Sequence, residues 1–272
     1  MLSEEDALFQ RECFKWLLTY FGGDAFYKEI QLVLPTREFF PATLDSNESA
    51  AKTTFAQVSK HAGMGKWPVN LEAQEEDPNL HIAPTLVIRN IEQNPLGTFS
   101  ANEENDAVIT YNPKIISDPA QMIATFAHEL SHYLTATAQE PPPGGWDNWE
   151  FATDIGAIFL GFGIFMANSA FNFSQYSGPD AIGWQTSGGG YLTEAEYSYA
   201  LAMFLRLKEI PPKKAFPHCD TNIKKHLKRA LKELDSSNII SELKLVNSNK
   251  ADHRSTLTLT THQQIKKSKA PP

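Results

Sequence analysis

The five-residue run His128-Glu129-Leu130-Ser131-His132 restricts this chain more than any other stretch. On an α-helix, residues i and i+4 project from one face, so two imidazoles at this spacing can close on one cation. The flanks predict that helix. Asp118 stands before Pro119, with Gln121 three residues after Asp118, a helix-start signature with proline at the first helical position. The helix should run from about Pro119 to Thr135, and Pro141-Pro142-Pro143-Gly144-Gly145 then breaks it. Ile123, Phe126, Ala127, Leu130 and Leu134 form an apolar stripe, whereas Thr125, His128, Glu129 and His132 gather on another face. A chance coincidence of two histidines and a glutamate would not bring this order with it.

Zinc takes neutral imidazole nitrogen at about 2.0 to 2.1 Å, and a catalytic zinc keeps three protein ligands and one open position. A third ligand should therefore follow. A second helix is expected to begin near Trp146 or Asp147 and to continue through Met166. It carries Glu150 and Asp154 on one face, among Phe151, Ile155, Ile158 and Phe159. Two carboxylates there are costly to bury unless a cation or hydrogen-bond donors meet them. Glu150 as ligand, with Asp154 accepting the free ring N–H of a ligand histidine, satisfies both. Asp147 or Asp154 as third ligand are the alternatives; the plainest reading makes Glu150 a helix-start acid and Asp154 a surface residue. Glu129, about 100 degrees round the helix from His128, can approach a water beside the ion without joining the ligands.

H-E-x-x-H followed by a helix bearing E-x-x-x-D resembles the gluzincin zinc metallopeptidases, the thermolysin-like group. The resemblance spans about residues 107 to 168. It implies one zinc ion on His128, His132 and Glu150, with Glu129 as general base and Asp154 orienting the first histidine. It also implies an edge strand just ahead of the metal-binding helix, where substrate backbone pairs, and Val108 to Asn112 is similarly placed. The chain departs from thermolysin around the third ligand, Trp149-Glu150-Phe151-Ala152-Thr153-Asp154, and matches no downstream His or Tyr of the family that stabilises the oxyanion. A tetrahedral intermediate needs such a donor besides the metal. Tyr191, Tyr197 and His218 are the candidates.

The expected fold is α+β and zincin-like: a small, mostly antiparallel sheet packed on the metal-binding helix, with helical N- and C-terminal additions. Residues 8–21 and 48–62 show helical spacing, Ile30 to Leu34 reads as a short strand, and Leu86-Val87-Ile88 and Ala107 to Tyr111 read as strands joined as a hairpin. Thr193 with Glu196 forms a capping box, and a last amphipathic helix sets Ile223, Leu227, Ala230, Leu231 and Leu234 opposite Lys224, Lys225, Lys228 and Lys232. Residues 1–246 are expected to form one domain, in which 1–70 can make an N-terminal helical lobe, and 247–272 a disordered tail.

Formal charge of -8 over 272 residues argues against non-specific nucleic-acid binding, which needs a basic surface. Cys13 and Cys219 are too few for a disulfide framework or a cysteine-rich metal site and read as buried thiols. The acidic start lacks a signal-peptide pattern, and the apolar run Ile155 to Ala167 is too short for a membrane span, so a cytoplasmic location is expected. The functional expectation is a zinc metallopeptidase acting on a peptide or protein substrate. The alternative is a metal-binding regulatory protein on the same scaffold, without proteolytic activity. A metallohydrolase of non-peptide amides is a third.

Overall fold

The computed structural model describes residues 2–41, 47–74, 96–101, 106–176 and 192–246. The expected strand at 86–88, Tyr191 and the tail 247–272 lie outside the described residues. Helix α1 (Glu4–Phe21) starts where Ser3 Oγ accepts from the Asp6 amide at 3.0 Å, and Glu4, Glu5 and Asp6 favour its positive end. It buries Cys13, Phe14, Leu17, Leu18 and Phe21. After α2 (Asn47–His61) comes a three-stranded sheet of β1 (Val69–Ala73), β2 (Gly97–Ala101) and β3 (Ala107–Tyr111).

The α+β class is as expected, but the sheet is mixed rather than mostly antiparallel. The strand order is β1-β3-β2, with β1 parallel and β2 antiparallel to β3. The strand expected at the edge, β3, is central. Its Ala107, Val108, Ile109 and Tyr111 are all buried, the pattern of a strand covered on both faces rather than one facing water. Among the described residues β2 is the edge strand beside the helix that follows.

That helix, α3 (Pro119–Thr135), begins at Asp118, whose Oδ1 accepts from the amides of Ala120 and Gln121 at 3.1 Å each. Every residue from Gln121 to Thr135 is buried, because α2, β2, β3 and the next helices enclose it. The helix expected to run unbroken from Trp146 through Met166 is divided. A 3₁₀ turn (Trp146–Asn148) leads into α4 (Trp149–Ala157), a π-type turn (Ile158–Phe162) and α5 (Gly163–Tyr176).

Gly161 causes the break, with φ +100° and ψ -1°. Its carbonyl accepts from the Val33 amide at 3.0 Å, and a Cβ at this position would lie 2.1 Å from the Gln31 carbonyl oxygen. The segment Ile30 to Leu34, expected as a strand, is in no sheet among the described residues. Its backbone docks on the helix break instead. By length and composition the stretch Trp146–Ala170 could cross a membrane, yet 89% of its most apolar window is buried inside the fold.

Thr193 caps α6 (Glu194–Leu207) with the full box: its hydroxyl accepts from the Glu196 amide and its amide donates to Glu196 Oε2. Helix α7 (Thr221–Asp235) lays its Ile223, Leu227, Ala230, Leu231 and Leu234 stripe against α6 and exposes Lys225, Lys228 and Lys232. A short α8 (Ile239–Lys244) follows. One hydrophobic cluster runs from Ala7 to Leu243, so α1 and α2 share the core of α3 to α7. Cys13 and Cys219 are free and buried.

Candidate metal centre

Consecutive turns of α3 bring the two imidazoles together with ring centroids 4.7 Å apart and planes at 84°. Glu150, in the first turn of α4, reaches both: its Oε2 lies 3.5 Å from His128 Nε2 and 3.3 Å from His132 Nε2. One ligand atom from each of the three residues lies within 4.8 Å of the others, the one such group of three or more metal-ligating side chains among the described residues. Three donors at these separations could hold one metal ion. His128 and His132 are buried, whereas the Glu150 side chain is 48% exposed, so the group opens to solvent on the α4 side.

Asp154 stands behind His128. Its Oδ1 accepts from His128 Nδ1 at 2.9 Å. An ionised carboxylate only accepts, so Nδ1 carries a hydrogen and Nε2 is the atom turned towards Glu150 and His132. Of the three acids in play, the structure therefore brings Glu150 to both imidazoles and puts Asp154 on the far side of one ring. Asp147, in the 3₁₀ turn before α4, is exposed and outside the group.

Thr153, which carried no role in the sequence reading, does for His132 what Asp154 does for His128. Its Oγ1 lies 3.2 Å from His132 Nδ1. Its carbonyl accepts from Ser131 Oγ at 2.8 Å, binding α4 to α3. The close approach is possible because residue 156 is glycine: a Cβ there would lie 2.2 Å from Ser131 Oγ. Trp149 closes the same seam, donating from Nε1 to Thr135 Oγ1 at 2.8 Å with its ring 5.1 Å from that of His132. A threonine three residues after a glutamate is too common a pattern to signal such a role.

Glu129 lies against β2. It is 4% exposed, and its Oε2 has no hydrogen-bond partner among the described residues. A Cβ on Gly97 would come within 3.0 Å of Glu129 Oε1 and 2.8 Å of Thr125 Cγ2, so the strand passes this close only as glycine. A buried carboxylate oxygen with no donor is costly in a finished core, and its presence beside an open three-ligand group fits a site built for a cation and a water.

The electrostatics follow from burial and neighbours. Burial pulls the His128 imidazole down, but its hydrogen bonds to Asp154 and Glu150 outweigh this and hold it well above its ordinary 6.5. Burial likewise pushes Glu150 up, and the two histidines outweigh it, holding the carboxyl well below 4.5. For Glu129 burial prevails: its carboxyl is raised despite the pull of His128 and His132.

Of the candidates for an oxyanion donor, Tyr191 lies outside the described residues, and the other two have partners apart from the three candidate ligands. Tyr197 is fully buried and donates its hydroxyl to Asp154 Oδ2 at 2.7 Å. His218 ends the 3₁₀ turn before α7, where its carbonyl accepts from Asn168 Nδ2 of α5. Set against known proteins, the chain matches no family model, no curated protein and no solved structure.

Proposed function

We propose that this chain is a zinc metallopeptidase, gluzincin-like in its site and zincin-like in the packing of its sheet on the metal-binding helix. His128, His132 and Glu150 would hold one zinc ion, and peptide bonds would be hydrolysed with Glu129 as general base. The observation that carries this reading is the pairing of an open two-imidazole, one-carboxylate group with a buried carboxylate oxygen on the next residue of the same helix that has no hydrogen-bond partner among the described residues.

The chemistry such a site supplies with zinc bound is polarisation of the scissile carbonyl and acidification of a water towards a pKa of about 7. Glu129 would remove a proton from the attacking water and deliver it to the leaving amine nitrogen. Its raised carboxyl pKa brings it nearer the range in which one group can both accept and return a proton. Among the described residues β2 pairs with β3 alone, and an extended peptide could add as a further strand along its other edge, next to Glu129. Asp154 and Thr153 hold the two rings so that little reorganisation is needed when the substrate arrives.

Glu129→Gln keeps the shape and removes the base. It should retain zinc and lose about 10²- to 10⁴-fold in kcat/KM on a peptide substrate. Full activity in that variant would end the mechanism. Zinc retained in both proteins, with no cleavage by either, would instead favour a metal-binding regulatory protein.

A further inference from the structure

Asp154 is fully buried, and a buried carboxylate persists only where donors replace its lost hydration. Three do so. His128 Nδ1 serves Oδ1 at 2.9 Å, while the Leu192 amide and the Tyr197 hydroxyl serve Oδ2 at 3.2 and 2.7 Å. The Tyr197 bond is the shortest, and it comes from α6, an element that lends no ligand to the cluster. Were the tyrosine oxygen missing, Oδ2 would keep the single amide bond at 3.2 Å, and the carboxylate could swing about its χ2 axis.

We propose that Tyr197 is a positioning residue for the metal centre: its hydroxyl locks Asp154, and Asp154 locks the ring plane and tautomer of His128, so that Nε2 faces Glu150 and His132. The assignment rests on the zinc reading above. It gives α6 a part in metal binding although that helix never touches the ion. It also explains why a fully buried tyrosine spends its hydroxyl on a carboxylate rather than on a backbone carbonyl of the core. The first turn of α6 is itself held rigid by the Thr193 capping box, so the hydroxyl is presented from a fixed element.

A tyrosine that merely fills the core would affect stability and leave metal affinity alone. The test is zinc affinity, read by competition with a chelator, in wild type, Tyr197→Phe, Asp154→Ala and the double variant. Tyr197→Phe keeps the ring and removes only the oxygen. It should weaken zinc binding about 10-fold, the lower end for groups that orient a ligand. In the Asp154→Ala background it should cause no further loss, since the chain of contacts is already cut. Unchanged affinity in Tyr197→Phe, or the same loss in both backgrounds, would overturn the assignment. Should Asp154→Ala fail to fold, the His128 Nδ1 proton resonance of metal-free protein decides: it should shift in Tyr197→Phe, and an unmoved resonance counts against the role. Wild type that binds zinc yet cleaves no peptide would remove the peptidase reading and leave this one standing. Wild type that takes up no zinc would remove both.

Discussion

His128 sits between two carboxylates, and its proton competes with any metal for the same nitrogen. In metal-free protein the raised imidazole favours the fold fully below its ordinary 6.5, and that contribution is lost as pH rises through the raised value. Glu150, depressed by the two histidines, favours the fold above 4.5 and loses this as pH falls through its lowered value. Glu129, raised by burial, opposes Glu150 on the acid flank, favouring the fold below 4.5 and losing that as pH rises. The clean signature is therefore on the alkaline side. The melting temperature of chelator-treated protein should fall as pH rises beyond 6.5, and His128→Gln should flatten that slope. Thermal melts across pH check this; parallel profiles for the two proteins would contradict it. At this scale the sequence was informative where residue type and spacing together imply one chemistry, as for His128, Glu129 and His132. It was silent on Thr153 and on the bond of the Tyr197 hydroxyl to Asp154, because side-chain partners 43 residues apart depend on how α4 and α6 meet.

Among the elements, α3 and α6 announced themselves through caps, since Asp118 and Thr193 satisfy orphan amides within their own first turns. Elements set by long-range contacts did not. Ile30 to Leu34 has the composition of a strand, but the partner for its Val33 amide is the carbonyl freed at Gly161, over a hundred residues away. The same contact explains why an apolar run that looks uninterrupted breaks into α4 and α5. Gly161→Ala should expose this coupling: the added methyl meets the Gln31 oxygen in a left-handed conformation that alanine resists. Unfolding free energy, measured with urea, should fall by about 3 kcal/mol. A loss below about 0.5 kcal/mol would mean that residues 30–34 do not hold the break. The sheet shows the same limit. Ala107 to Tyr111 was legible as a strand, whereas its place between β1 and β2 depends on pairings that local pattern does not encode.

For the whole molecule, the arrangement puts a polar site on the most buried helix and supports it from every side. The sheet abuts Glu129, α4 supplies Glu150, Thr153 and Asp154, and α6 braces Asp154 through Tyr197. One continuous core joins these elements, so packing fixes the geometry of the site. In the proposed site three side chains from two helices share one zinc ion. Elemental analysis of purified wild type and of Glu150→Ala tests it most directly. About one zinc per chain is expected in wild type and a large loss in the variant. Zinc undiminished in Glu150→Ala, or absent from wild type supplied with the metal, would contradict it.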